Sequence, residues 1–177
     1  MDQVLNRRRS SKKIRKACIG PIRKAIRKAK KTSKGLSCGK ILKLTNCWPR
    51  FIGCFSQNDL LSLSFNIKPV FLMVHIGHDR GHWIALGIYD DKIEVFDPLG
   101  FKIFDWPSIP CGLLNFLYTH STNKKLVLAG KVQPDDSKLC GFYCLFYLYK
   151  RHFYSLSKIE SLLSNLSTND DKLADLF

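Results

Sequence analysis

The apolar positions of this chain fall into runs of two different periods. From Val70 to Ile76 they are nearly continuous, as in a strand buried on both faces. Residues His82 to Tyr89 and Lys92 to Asp97 read as two further strands, the second alternating, joined by a turn at Asp90-Asp91. Lys125 to Val132 reads as another strand. After Leu139 the period changes: Phe142, Leu145, Phe146, Leu148 and Tyr149 recur at three and four, which predicts a buried helix with Cys140 in its first turn. Ser108 to His120 predicts a second helix, and Ser56, three residues before Asp59, predicts a capped one over about Gln57 to Phe65. Short helices from Ser157 and Asn169 close the chain. Gly35 to Gly39 reads as a turn, Cys47 to Phe55 as an aromatic-rich loop, and Pro98-Leu99-Gly100 as the turn that ends the third strand. The expected architecture is α+β, a small mixed β-sheet flanked by helices.

Charge divides the chain more sharply than hydropathy does. Residues 1–34 hold fourteen Lys and Arg against the single Asp2, whereas residues 35–177 hold fifteen against thirteen acids. The expected organisation is a basic N-terminal arm over 1–34, flexible or partly helical and interrupted at Gly20-Pro21, followed by one globular domain over 35–177. The cations come in pairs about one helical turn apart: Arg7, Arg8, Arg9, Lys12, Lys13, Arg15, Lys16, Arg23, Lys24, Arg27, Lys28, Lys30 and Lys31. Such a block suits nucleic-acid contact through phosphates, without sequence preference and with strong salt dependence. A solvated tail or a nuclear-import signal is the plainer reading of the same residues. No run of eighteen apolar residues occurs and the N-terminus lacks the apolar core of a signal peptide, so no membrane passage is expected. Seven cysteines in irregular spacing suit a reducing intracellular compartment better than a disulfide framework.

One of those cysteines stands where chemistry is favoured. Unpaired N–H groups and the positive end of the helix dipole stabilise a thiolate in the first turn of a helix, which makes Cys140 the candidate nucleophile. Cys144, one turn deeper, reads as a small buried hydrophobe. His82 opens one hairpin strand and Asp97 ends the next, so both fall at the same open end of adjacent strands. A carboxylate there can hold an imidazole in one tautomer while the ring exchanges a proton with the thiol. Gln133, seven residues before Cys140, can offer a side-chain N–H to a developing oxyanion together with the Cys140 backbone N–H. His78 and His82 share the spacing of a zinc-binding helix, but their glycine-rich, β-rich surroundings and the lack of a CxxC pair speak against a metal.

These blocks resemble a known family. Gly81-His82-Trp83, Val95 to Phe101, and Val132-Gln133 followed by Cys140 to Cys144 are similar, in order and nearly in spacing, to the three active-site blocks of the adenovirus protease (adenain) family. Two upstream pieces, Gly35 to Gly39 and Arg50 to Phe55, are also similar, so the resemblance spans roughly Gly35 to His152. The wider relative is the clan of ubiquitin-like-protein-specific proteases. The resemblance implies a papain-like active-site arrangement in permuted chain order, with His82 as general base, Asp97 as its orienting acid, Cys140 as nucleophile, Gln133 as oxyanion donor and Trp83 flanking the imidazole. Where adenoviral members usually have Glu, this chain has Asp97, as the wider clan does. It also lacks a cysteine between Cys111 and Cys140, where the family ties down an activating peptide.

The expectation is therefore a cysteine endopeptidase of viral or virus-like-element origin. It would mature capsid or core precursors on or near DNA, in the host nucleus or the virion, as a monomer that needs no cofactor for its chemistry. DNA or a basic activating peptide would serve as stimulators, and substrates would carry small residues, Gly above all, beside the scissile bond. Two alternatives stand beside it: a deconjugase acting on ubiquitin-like tails, and a non-enzymatic basic DNA-packaging protein.

Overall fold

The computed structural model describes residues 19–32, 34–77, 81–100 and 110–177. Helix α1 (residues 19–32) is followed by α2 (Cys38–Thr45), β1 (Phe51–Ser56), a 3-10 turn (Asp59–Ser62), β2 (Val70–Ile76), β3 (His82–Ile88) and β4 (Lys92–Phe96). The chain then forms α3 (Cys111–Ser121), β5 (Lys125–Leu128), α4 (Cys140–Lys150), α5 (Leu156–Leu162) and α6 (Leu166–Leu176). The strands lie in one sheet in chain order, β1-β2-β3-β4-β5. Its outer pairs are parallel and its inner pairs antiparallel, so this is the mixed α+β sheet flanked by helices.

Strand alternation sorts the core into two. On one face Phe71, Met73, Ala85 and Phe96 pack against α4; on the other Leu72, Val74, Ile84, Leu86 and Val95 pack against Leu113, Phe116 and Leu117 of α3. Helix α4 is buried on every side from Gly141 to Tyr149, because α1 and α6 cover the side that the sheet leaves open. Glu94 anchors this layer. Its carboxylate, 1% exposed, takes two hydrogen bonds from Arg151, at 2.7 and 2.9 Å, and one from the Tyr147 phenol at 2.8 Å.

Several elements differ from expectation. Within residues 1–34, α1 runs through Gly20-Pro21, and Ile22, Ala25, Ile26 and Ala29 lie in the core. Their spacing of three and four makes an apolar stripe among the lysines, and burial of that stripe outweighs the local breakers. Residues 19–32 of the expected arm thus pack against the core as a helix, whereas residues 1–18 lie outside the described residues. The Gly35 to Gly39 turn passes into α2, which buries Ile41, Leu44 and Thr45. The aromatic loop is largely strand β1, whose alternation is broken by a register shift between Phe51 and Gly53, the latter at φ 134°. The helix expected over Gln57 to Phe65 is a single 3-10 turn: Asp59 accepts from the Ser56 backbone and hydroxyl, but only Leu60 is buried and Leu63 is already extended. The strand at Lys125 stops at Leu128 rather than Val132, and the last two helices begin at Leu156 and Leu166. Ser108, the expected start of α3, lies outside the described residues. Cys47 is disulfide-bonded, whereas Cys38, Cys54, Cys111, Cys140 and Cys144 carry free thiols. Among the described residues no helix is long and apolar enough to cross a membrane.

Candidate active site

The β3-β4 hairpin builds the first half of the site. Tyr89 N–H bonds to the Lys92 carbonyl across the Asp90-Asp91 turn, and the register pairs Ala85 with Phe96. His82, three residues before Ala85, and Asp97, one after Phe96, meet at the open end: His82 Nε2 lies 2.7 Å from Asp97 Oδ1. The same Oδ1 accepts the Leu99 N–H at 2.9 Å, so the carboxylate is aimed by its own turn. That turn closes with Gly100 N–H on the Asp97 carbonyl. Gly100 sits at φ 68° against the backbone of Lys131, where a Cβ would leave no room.

The second half is tied to the first through Pro98. Its carbonyl accepts both the Val132 and the Gln133 N–H at 2.9 Å, which fixes Gln133 beside the Asp97 turn. Gln133 is buried, and its Nε2 donates to the Ser137 carbonyl at 2.8 Å. An amide nitrogen carries two hydrogens, so one is left for another acceptor. From Ser137 the chain reaches Leu139, the N-cap of α4, and delivers Cys140 partly exposed at the helix start. The thiol is close enough to the His82 ring to act on its charge. Because Nε2 serves Asp97, Nδ1 is the ring nitrogen left for the thiol.

Burial works against a charge on His82, but the Asp97 carboxylate and the Cys140 sulfur outweigh it and raise the imidazole to about 9. At neutral pH the ring is therefore an imidazolium. His75, on the neighbouring strand, moves the opposite way, lowered first by burial and then by the positive His82. The second cysteine of α4 is chemically distinct: Cys144 is fully buried, its Sγ donates to the Trp83 carbonyl at 3.2 Å, and burial holds its thiol far above the ordinary range.

Trp83, the expected flank of the His82 imidazole, has contacts of its own. Its ring stands edge-on to His75 with centroids 4.8 Å apart, and its indole N–H donates 2.8 Å to the Leu36 carbonyl. A Cβ on Gly141 would come within 3.1 Å of the indole and 3.2 Å of Leu36, so the Cys-Gly pair lets α4 begin close against Trp83. Gly81 plays the same part for His75, whose ring fills the space a Cβ would take. A cleft of about 390 Å³ opens beside these groups, lined among others by Leu36, Cys38, Cys54, Phe55, His75 and Trp83.

The structure thus brings His82, Asp97 and Cys140 together and seats Gln133 in the loop that leads to Cys140. His78 lies outside the described residues, and among these there is no cluster of three His, Cys, Asp or Glu able to hold a metal ion. Of the basic set, Arg7, Arg8, Arg9, Lys12, Lys13, Arg15 and Lys16 also lie outside the described residues; Arg23, Lys24, Arg27, Lys28, Lys30 and Lys31 ride on α1. Arg27 and Lys30 are spoken for, paired with Asp175 and Asp171 of α6. Lys24, Lys28 and Lys31 are exposed and, among the described residues, have no carboxylate partner. The sequence reading passes over His75 and Leu36. A lone polar residue in an otherwise apolar strand is the one signal that points to His75.

No family model and no curated protein matches this sequence. Among solved structures, the fold is similar to the crystal structure of the ASFV pS273R protease. The TM-score is 0.52 at 17% identity, covering 82% of this chain and 68% of that one. The two chains share a fold at that distance.

Proposed function

We propose that this chain is a cysteine endopeptidase in which Cys140 attacks the peptide carbonyl, His82 carries the proton and Asp97 holds His82. The observation that carries this reading is the 2.7 Å His82–Asp97 contact beside the Cys140 thiol, which stands at the start of a helix. The likeness of the fold to a protease supports it.

In the acylation step Cys140 sulfur forms a bond to the carbonyl carbon and its proton resides on His82. The carbonyl oxygen takes up negative charge, met by the free Gln133 amide hydrogen and by the N–H groups at the start of α4, which have no helical acceptors of their own. As the C–N bond breaks, His82 gives its proton to the departing amine. Water, deprotonated by the same ring, then cleaves the thioester and restores the thiol. The buried Asp97 carboxylate stabilises the imidazolium throughout and needs no proton of its own.

The resemblance to the adenain family extends the reading to the maturation of viral precursor proteins with small residues, especially Gly, around the scissile bond. A role near DNA is supported by the exposed Lys24, Lys28 and Lys31, which have no carboxylate partner among the described residues and recur at four and three residues along one face of a docked helix. The test is direct. Purified chain should cleave a fluorogenic peptide ending in Gly-Gly, and mass spectrometry should locate the label of a peptide vinyl sulfone on Cys140. Labelling at Cys38 or Cys111 with Cys140 untouched would end the proposal.

A further inference from the structure

The loop between Gln133 and Cys140 has no regular secondary structure, yet both of its ends must be placed accurately if Gln133 and the start of α4 are to share one oxyanion. What holds it comes from the far end of the chain. On α6, Asn169 is 1% exposed and donates through Nδ2 to the Val132 carbonyl at 2.7 Å, one residue before Gln133, and to the Leu163 carbonyl at 2.8 Å. The next residue, Asp170, uses a single carboxylate oxygen twice. Oδ1 accepts the Ser137 hydroxyl at 3.0 Å and the Tyr143 phenol at 2.7 Å.

One partner belongs to the loop and the other to the helix that follows it. Ser137 is the residue whose carbonyl receives the Gln133 amide, and whose Oγ accepts the Leu139 N–H at 3.2 Å just before the helix begins. Tyr143 is on α4 itself, three residues after Cys140. Remove the carboxylate and the Ser137 hydroxyl is free to rotate, the loop loses its anchor to the helix, and the Gln133 amide follows the Ser137 carbonyl it is bonded to. The nucleophile side is held separately, since Cys140 faces His82 on the hairpin and Gly141 is packed against Trp83 and Leu36.

We propose that Asp170, seconded by Asn169, is a positioning residue for oxyanion stabilisation: α6 clamps the Gln133–Cys140 loop to the nucleophile helix through Ser137 and Tyr143. The inference rests on the reading of Cys140 and Gln133 as catalytic groups. It assigns the C-terminal helix a part in the chemistry, with no contact between Asp170 and substrate.

Four variants test it: Asp170→Ala removes both bonds, Ser137→Ala removes the loop bond, Tyr143→Phe removes the helix bond, and Asp170→Asn keeps an acceptor oxygen of the same shape. Thermal melts establish that each is folded. With the Gly-Gly fluorogenic peptide, Asp170→Ala should lower kcat by about 10- to 100-fold with KM within about twofold, as expected when one oxyanion donor is misplaced rather than deleted. Affinity for a peptidyl glycinal, whose hemithioacetal presents the same oxyanion, should fall by a matching factor. The rate of Cys140 alkylation by iodoacetamide, which develops no oxyanion, should stay at the wild-type value. Ser137→Ala should reproduce most of the loss, and Asp170→Asn should recover most of it. In a Gln133→Ala background, Asp170→Ala should add little.

If alkylation falls together with kcat, or if the Asp170 and Gln133 effects multiply, the clamp acts on something other than the oxyanion and the proposal is overturned. Should Asp170→Ala fail to fold, Ser137→Ala carries the same comparison. Wild-type chain that neither cleaves the peptide nor binds the glycinal sinks the protease reading and this proposal together. An active wild type beside an unaffected Asp170→Ala sinks this proposal alone.

Discussion

His82 Nε2 and Asp97 Oδ1 lie 2.7 Å apart across the open end of a hairpin whose turn is eight residues from one and six from the other. The two residues meet because the hairpin leaves no other register: Ala85 faces Phe96, and the Leu99 N–H holds the carboxylate from behind. The shorter Asp side chain, where adenain-like sequences usually carry Glu, still reaches the ring.

The first prediction concerns that pair. Asp97→Asn should reduce kcat by about 100-fold or more with little change in KM, because the His82 imidazolium loses its charge partner while the groups that bind substrate are unchanged. Asp97 also keeps the proton on His82 up to about 9, so the alkaline limb of the pH–rate profile should move to lower pH in the variant. A limb that stays in place would remove Asp97 from the mechanism. The same shift is a stability term. A raised histidine stabilises fully below its ordinary value near 6.5 and loses that contribution as pH rises through about 9, so wild-type melting should decline over that window and Asp97→Asn less steeply.

Two cysteines one helical turn apart give the second prediction. Cys140 is partly exposed beside His82, whereas Cys144 is buried with its thiol donated to the Trp83 carbonyl. Cys140→Ala should abolish both peptide hydrolysis and alkylation at this site. Cys144→Ala should keep both, at a stability cost of about 1 kcal/mol for the missing sulfur and its hydrogen bond. Equal loss of hydrolysis in the two variants would show a packing defect in place of a nucleophile.

Glu94 supplies the third. Burial alone would favour its neutral form, but Arg151, Lys92 and Tyr147 bond to the carboxylate and bring it below the ordinary range. A depressed carboxylate contributes stability above its unfolded-state value of about 4.3 and loses it as pH falls through the native one, so the acid limb of the stability curve carries this term. Glu94→Gln leaves the Arg151 guanidinium without its charge partner and should cost about 3–5 kcal/mol in urea unfolding. A variant as stable as wild type at pH 7, with the same acid limb, would show that Glu94 is not the anchor between β4 and α4.

How much of this was legible in the sequence depends on chain distance. The hairpin, the period switch at Leu139 and the helix-start position of Cys140 are local patterns, and they suffice to place His82 near Asp97 and to isolate Cys140 from Cys144. Strand β1 was hidden because the irregularity at Gly53 breaks its alternation. The contacts of Trp83 with Leu36 and of Ser137 with Asp170 join residues 47 and 33 positions apart through side chains with no pattern of their own. In α1, four apolar residues among many lysines were outweighed by charge, although Ile22 and Ile26 are wholly buried.

That last difference changes what the basic segment is expected to do. A flexible arm could be cut away without cost, but α1 contributes Ile22 and Ile26, both 0% exposed, to the layer that covers α4, and it is paired to α6 through Arg27 and Lys30. Replacing either isoleucine by alanine should cost about 2–5 kcal/mol. Deleting residues 1–34 should therefore lower the melting temperature and reduce peptide hydrolysis even where no DNA is present. Charge and packing separate on this helix because they occupy opposite faces. Changing Lys24, Lys28 and Lys31 together to glutamine leaves the buried stripe and both ion pairs untouched, so melting and peptide hydrolysis should match wild type. Affinity for duplex DNA should drop, and the slope of log affinity against log salt should become shallower by about 3, at roughly 0.9 for each phosphate no longer neutralised. A triple variant with unaltered DNA binding would assign any nucleic-acid contact to residues other than these three lysines. A 1–34 deletion that melts and cleaves like wild type would show that α1 merely rests on the domain and adds nothing to it.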